Sequence, residues 1–184
     1  MEFEFTQEHE ELRQTVRRFL EKESPEAVVR GVMETERGYD ERVWSRMAEE
    51  LALPGLVVPE AHGGAGYSFV ELAIVLEEMG RALLCAPYLS TAVLATTALL
   101  HAAGEAARAE ILPGIAAGRT IATLAFAEAS GRWEPSGVAL RARRDGATWL
   151  LEGTKDFVPD GHVADVILVA ARSGEGLSLF SVEG

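Results

Sequence analysis

Apolar residues recur at helical spacing through the first two thirds of the chain. One face of the predicted first helix carries the apolar residues Leu12, Val16, Phe19 and Leu20. Ser68 and Glu71 have the spacing of a capping box, which predicts the start of another helix. The segment 90–103 is apolar nearly all round, as in a helix buried inside a bundle or between subunits. The pattern therefore predicts a helical bundle up to Gly118, with Pro113 interrupting its last helix.

The stretch 51–66 is apolar but cannot remain helical. Pro54 and Pro59 lack the backbone N–H group that a helix interior needs. Gly63 and Gly64 allow backbone angles that other residues avoid. Because the helical pattern resumes on both sides, this stretch is predicted to be a tight, partly buried crossing between two helices.

The pattern changes at Gly118 to short runs of β-favouring residues separated by turn residues. The dipeptide Asp145-Gly146 is typical of a hairpin turn. The runs predict five strands, at 120–127, 138–143, 148–152, 166–171 and 177–182. We therefore expect two domains, a helical one over 1–118 and a β domain over 119–184.

Charge and cysteine content narrow the choice of partner and compartment. Lys and Arg number 17 against 29 Asp and Glu, and the formal net charge of −12 argues against nucleic acid or an anionic membrane as partner. Cys85 is the only cysteine, which favours a reducing compartment. The first residues lack a signal-peptide pattern, and no apolar run is long enough to span a bilayer. We expect a cytoplasmic protein without membrane insertion.

Residue types that carry catalysis do not cluster in the sequence. The four histidines lie apart, at His9, His62, His101 and His162, so no metal site is predicted. The Gly-x-Ser-x-Gly pattern of a nucleophilic serine is absent. Cys85 has only Arg81 as a cationic neighbour, which favours a packing role over a reactive one. No catalytic residue is predicted.

Five segments, taken in order, resemble the acyl-CoA dehydrogenase family. The first is Leu51-x-Leu53-x-Gly55-Leu56-x-Val58-Pro59-Glu60-x-x-Gly63-Gly64-x-Gly66, and the second is the helix from Glu71 to Gly80-Arg81-Ala82. The third is Leu112-Pro113-x-Ile115-x-x-Gly118, and the fourth begins Gly153-x-Lys155-x-Phe157-Val158-x-x-Gly161-x-x-Ala164-Asp165 and continues through 168–172. The fifth is Leu177-Ser178-Leu179-Phe180-x-Val182. The resemblance covers the whole chain.

The resemblance implies a fold and an activity. The family fold is an N-terminal all-α helical bundle, an antiparallel β-barrel-like middle domain and a C-terminal four-helix domain. The resemblance implies an oxidoreductase of fatty acid or steroid degradation that uses FAD for α,β-dehydrogenation of an acyl-CoA thioester. It also implies a homo- or hetero-oligomer, dimer or tetramer, with electron-transferring flavoprotein as electron acceptor. The linear, branched or steroid nature of the acyl group stays open.

The resemblance also implies site residues. Two loops would contact FAD, with the cofactor-binding residues Phe126, Ala127, Glu128, Phe157, Val158 and Pro159 and the substrate-binding residues Ser130 and Gly131. The family pattern in the first loop is Thr-Glu-Pro-x-x-Gly-Ser-Asp, and Ala127 stands where its threonine hydroxyl would be. The second loop is Trp-x-Thr or Trp-x-Ser in the family, and here Phe157 keeps the aromatic ring while Pro159 lacks both hydroxyl and N–H.

Two further hypotheses stand beside the dehydrogenase. Because the four-helix domain that carries the family's catalytic glutamate is expected to be absent from this chain, the base would lie outside it. The losses at Ala127 and Pro159 favour a non-catalytic structural subunit of a heteromeric acyl-CoA dehydrogenase, with a degenerate flavin site. The third hypothesis is an unrelated binding module, which would require five coincidental motifs.

Overall fold

The computed structural model describes residues 5–174 and 176–184. Its first part is helical, as predicted. The helices are α1 (Gln7–Glu23), α2 (Glu26–Val32), α3 (Glu41–Leu51), α4 (Phe69–Arg81), a π-helical segment (Leu89–Ala95), α5 (Thr96–Ala102) and α6 (Glu105–Ala116). None of the helices in these described ranges combines the length and the apolar character needed to cross a bilayer.

The helix boundaries follow local signals, with one exception. The predicted capping box is confirmed, because Ser68 Oγ accepts from the Val70 N–H group and Glu71 Oε2 accepts from the Ser68 N–H group at 2.8 Å. The predicted interruption at Pro113 is wrong, since α6 continues through it to Ala116. A proline removes only one helical hydrogen bond, and the buried side chains on both sides, Ile111, Leu112 and Ile115, hold the helix in place.

The stretch 51–66 is the predicted crossing, built from the short 3₁₀ turns Leu53–Gly55 and Glu60–His62. Most of the run from Leu53 to Val58 is buried. Gly64 lies so close to the preceding turn that a Cβ atom there would be 2.0 Å from the Val58 carbonyl oxygen. The crossing is therefore compact because glycine is the one residue type that fits at this point.

A buried carboxylate joins α1 to α4. Glu78 on α4 is 1% exposed, and its oxygens accept from Arg17 Nε at 2.9 Å and Arg17 Nη2 at 2.6 Å. Arg81 Nε donates to the same carboxylate at 2.9 Å. The Arg17 hydrogen bonds, opposed by burial and aided by Arg81, lower the pKa of Glu78 from 4.5 to about 2. The Glu78–Arg17 pair is one of the main polar links between α1 and α4.

The second part of the chain is a five-stranded sheet. Its strands are β1 (Ala122–Ala125), β2 (Arg141–Asp145), β3 (Thr148–Glu152), β4 (Val166–Ser173) and β5 (Gly176–Glu183). β5 pairs with one edge of β4 over the full length of both strands. Along the other edge of β4, β1 pairs with the first half and β2 meets the end at Arg141 and Arg172. The predicted hairpin between β2 and β3 is confirmed.

The expected antiparallel, barrel-like arrangement requires correction. β1 and β2 both run parallel to β4, so the sheet is mixed. The strand order β1-β4-β2-β3, with β5 on β4, does not close within the described residues. β1 and β4 can pair in parallel because the connection between them is long enough for the crossover that parallel strands need. Hairpin turns, by contrast, fix only the β2–β3 and β4–β5 pairs.

The helices and the sheet share their interior. Leu99 and Leu112 of the helical part lie in one apolar cluster with Ala122 and Leu168 of the sheet. Buried Thr91 makes the polar link, because its hydroxyl donates to the Ala122 carbonyl at 3.0 Å and accepts from the Ala122 N–H group at 3.1 Å. One side chain therefore satisfies both backbone groups of this buried strand residue.

We predict that Glu78→Gln lowers the free energy of unfolding at pH 7 by about 2–3 kcal/mol, because it removes a buried, charge-assisted set of hydrogen bonds. The pKa of Glu78 is depressed in the folded state, so this contribution is present above pH 4.5 and is lost as the pH falls towards about 2. Urea denaturation of both proteins from pH 7 to pH 2 measures the difference.

The matched control is Glu77→Gln, since Glu77 is exposed and its carboxylate pairs with Arg13 of α1. It should cost less than about 1 kcal/mol. Equal losses in the two variants, or a Glu78→Gln difference independent of pH, would contradict the prediction.

Candidate functional site

The two loops predicted to bind a cofactor lie side by side. The first loop, 126–134, follows β1, and the second loop, 153–161, follows β3. They touch where the Asp156 N–H group donates to the Ala127 carbonyl at 3.0 Å. The structure therefore brings together two segments that are almost thirty residues apart in the sequence.

A largely buried ion pair fixes this contact. Lys155 Nζ lies 2.7 Å from Glu128 Oε1, and the two side chains are 6% and 11% exposed. The same ammonium donates to the Phe126 carbonyl at 3.2 Å. The Lys155 side chain thus binds both a side chain and the backbone of the first loop, which fixes the spacing between the loops.

Glu128 also binds the segment that leads into β2. Its carboxylate accepts from the N–H groups of Ala139 at 2.9 Å and Leu140 at 3.0 Å. Burial opposes ionisation of Glu128, but the Lys155 ammonium and these two N–H groups outweigh it and lower the pKa of the carboxyl. Glu128 is therefore an anion whose oxygens are directed into the protein and already have partners.

Two hydroxyl groups of buried residues bind the second loop. Thr123 Oγ1 on β1 donates to the Pro159 carbonyl at 2.6 Å. Ser90 Oγ in the π-helical segment lies 2.6 Å from Asp160 Oδ2. Because both hydroxyl groups belong to buried residues, the loop is anchored to the sheet and to the helices.

Phe157 projects from the top of the second loop. Its side chain is 93% exposed, and its backbone has φ +52°. A bulky residue in this left-handed region is strained, and such strain persists where the surroundings impose it. Neither the Phe157 nor the Val158 N–H group has a hydrogen-bond partner in the described part of the chain. The loop thus presents an aromatic face and two backbone donors to its surroundings.

The remaining predicted residues of the two loops offer little polar chemistry. Ala127 is half-buried and Pro159 contributes its carbonyl to Thr123, so neither offers a hydroxyl. Ser130 and Gly131 lie exposed at the tip of the first loop, where the Gly131 N–H group donates to the Glu128 carbonyl at 2.8 Å. Ser130 Oγ accepts weakly from the Arg132 N–H group, at 3.4 Å.

Sequence reasoning missed two residues of the site. Trp133 is 80% exposed, and its ring packs against Phe126 with centroids 5.0 Å apart at 69°. It therefore forms an exposed aromatic pair with Phe126 in the first loop, which no periodic pattern predicts. Lys155 belongs to the fourth motif, but a lysine is so often exposed that the sequence gives no sign of its buried pairing.

Metal chemistry finds no support in the described ranges. No group of three His, Cys, Asp or Glu side chains within 5–174 and 176–184 is placed to hold a metal ion.

The chain is similar in sequence to acyl-CoA dehydrogenases. Residues 6–119 match the profile described as "Acyl-CoA dehydrogenase, N-terminal domain". Acyl-CoA dehydrogenase IpdE2 from Mycolicibacterium smegmatis is 41% identical over 173 residues, which cover 94% of this chain and 45% of that protein.

Two solved structures have closely similar folds. The ChsE4-ChsE5 complex from Mycobacterium tuberculosis superposes with a TM-score of 0.87 at 26% identity, over 100% of this chain and 49% of that chain. An acyl-CoA dehydrogenase complexed with FAD from Bacillus anthracis gives a TM-score of 0.87 at 25% identity, over 98% and 31% of the two chains. The chain thus spans less than half the length of these relatives.

We predict that Lys155→Met lowers the free energy of unfolding by about 3 kcal/mol, because it leaves the Glu128 carboxylate buried without its cation. Adding Glu128→Gln should recover part of the loss, since a neutral amide still accepts a hydrogen bond. Chemical denaturation measures both variants, and exposed Lys22→Met is the control. A loss at Lys155 no larger than at Lys22 would contradict a role for the pair in holding the loops.

Proposed function

Because the chain belongs to the acyl-CoA dehydrogenase family, we propose that it supplies part of an FAD-dependent enzyme that dehydrogenates acyl-CoA thioesters between Cα and Cβ. In this proposal the two loops form one wall of the flavin site. None of the predicted site residues is a free carboxylate that could act as the catalytic base. Glu128, the one acidic residue among them, is paired with Lys155 and with two backbone N–H groups.

The observation that carries the proposal is the exposed ring of Phe157. Phe157 is 93% exposed and its backbone has φ +52°, so the residue contributes little to the stability of the fold. A flat ligand that stacks on this ring would bury it and offset the backbone strain. The isoalloxazine ring of FAD is such a ligand, and a solved structure with a TM-score of 0.87 is complexed with FAD.

The residues present fit FAD in part. The N–H groups of Phe157 and Val158 have no partner within the described chain, so they are available to acceptor atoms of a ring system stacked nearby. Phe126 and Ala127 would contact the ring through their backbone. FAD, when bound, supplies the hydride acceptor of the family's reaction. The chain's own contribution would be to stack, to orient through backbone donors and to hold the two loops at a fixed spacing.

Ser130 and Gly131 are proposed to contact the acyl-CoA substrate. They lie at the exposed tip of the first loop, and Trp133 stands beside them on the same loop. The Ser130 hydroxyl accepts only a weak hydrogen bond, so it can bond a polar group of the substrate instead. Trp133 would add an apolar contact there.

The division into domains is also a proposal. We propose a helical domain over 1–118 and a middle β domain over 119–184, whose sheet would belong to the barrel-like unit of the family. The parallel pairing of β1 and β4 is compatible with such a unit, because a sheet can close when further strands pair with its free edges.

A second function is favoured by the loops themselves. Ala127 and Pro159 lack the hydroxyls that family members offer to the flavin, and Pro159 also lacks an N–H group. We therefore propose as the alternative a structural subunit of a heteromeric acyl-CoA dehydrogenase, whose partner subunit holds the intact flavin site. The ChsE4-ChsE5 complex, a heteromer by its name, has a similar fold at 26% identity. In either case we propose a dimeric or tetrameric assembly, with electron-transferring flavoprotein as electron acceptor.

We predict that Phe157→Ala weakens FAD binding by about tenfold, since loss of one stacked ring costs about 1–1.5 kcal/mol. Equilibrium dialysis with FAD and the visible absorbance of bound flavin measure the affinity. Phe69→Ala on α4 is the matched control, because Phe69 is also exposed but lies on a different element. Flavin binding unchanged by Phe157→Ala would contradict stacking on this ring.

Restoring the lost hydroxyls separates the two functions. We predict that Ala127→Thr combined with Pro159→Thr raises FAD affinity at least about tenfold, because each new hydrogen bond is worth about 1 kcal/mol. Ala129→Thr in the same loop is the control. If the native chain stays colourless with FAD and becomes yellow only with a partner subunit, the structural-subunit proposal is supported. Tight binding by the native chain, unaffected by the new hydroxyls, supports the catalytic one.

A further inference from the structure

A concave surface on the sheet is lined by arginines. It encloses about 450 Å³, and its walls include Arg141 and Arg143 on β2, Arg172 on β4 and Glu152 on β3. We name it the arginine pocket, and its lining includes no residue of the loops 126–134 and 153–161.

The strand register places the arginine pocket's cations close together. Arg141 is the register partner of Arg172 across the parallel β2–β4 contact, and it faces Glu152 across the antiparallel β2–β3 pair. Arg143 is two residues along β2, so it extends from the same face as Arg141. Like charges on neighbouring strands destabilise a sheet. Among the described residues that line the pocket, three exposed arginines accompany one carboxylate, which concentrates positive charge in a chain of net charge −12.

One of the three guanidinium groups is already positioned by the backbone. Arg172 Nε donates to the Val138 carbonyl at 3.1 Å, and Arg172 Nη2 donates to the Pro135 carbonyl at 2.7 Å. These bonds leave the other terminal nitrogen available. No carboxylate in the described part of the chain forms an ion pair with Arg141, Arg143 or Arg172. The positive charge of the arginine pocket is thus concentrated and in part rigid.

We propose that the arginine pocket binds a phosphate or diphosphate group. Guanidinium groups donate two parallel hydrogen bonds to phosphate oxygens, and arginine favours this planar recognition over the point charge of lysine. A volume of about 450 Å³ accommodates a diphosphate with its hydration. The group can come from free phosphate or from a nucleotide-type ligand such as coenzyme A or FAD. The proposal does not rest on the dehydrogenase function, because binding of inorganic diphosphate tests it directly.

The test is isothermal titration of the chain with inorganic diphosphate at low and moderate salt. We expect binding that Arg141→Gln and Arg143→Gln each weaken about tenfold, the loss typical of one charge-assisted hydrogen bond. Arg144→Gln is the matched control. It removes the same charge from the next position of β2, where the guanidinium instead lies over the Trp149 ring at 5.7 Å. It should change the affinity less than about twofold, as only general screening is altered.

Parallel titrations with coenzyme A and FAD identify the source of the phosphate. A nucleotide is supported as the ligand if it binds more tightly than diphosphate and loses affinity in Arg141→Gln and Arg143→Gln. Its binding should also be unaffected by Phe157→Ala. Diphosphate binding without any gain for either nucleotide supports free phosphate. No diphosphate binding, or equal losses in Arg144→Gln and the two pocket variants, overturns the proposal. If FAD binding is lost in Phe157→Ala but not in the pocket variants, the result concerns the flavin site and not the arginine pocket. Circular dichroism verifies that each variant is folded.

Discussion

The hydroxyl of Thr91 is the polar link on which the joint between helices and sheet depends. It satisfies both backbone groups of Ala122, at 3.0 and 3.1 Å, inside a region that water does not reach. Without it, two buried backbone groups of β1 would lack partners, which costs far more than an ordinary hydrogen bond contributes. Because β1 leads directly into the first loop, the position of that loop is set by a side chain of the π-helical segment.

The same segment reaches the second loop through Ser90, so both loops are positioned from one piece of helix. Lys155 and Glu128 then fix the loops to each other. This arrangement explains how Phe157 can be held with a strained backbone and an exposed ring. These contacts restrict the motion by which the second loop would otherwise relax its backbone strain.

Local signals in the sequence predicted most elements. Ser68 with Glu71 placed the start of α4, and Asp145-Gly146 placed the β2–β3 turn, because each depends on residues a few positions apart. The parallel pairing of Ala122 with Val166 depends on contacts between distant parts of the chain, which no local pattern carries. The loop residues Phe157 and Val158 came from the family resemblance, whereas the burial of Lys155 and the packing of Trp133 follow from tertiary structure alone.

The late position of β4 in the chain has a consequence for folding. The β2–β3 and β4–β5 pairs are local, so each can form quickly, whereas β1 must wait for a partner more than forty residues downstream. During synthesis the helices are complete while β1 still has an open edge towards the absent strand. Until β4 arrives, the chain carries an unpaired apolar strand, which is the stage most exposed to aggregation.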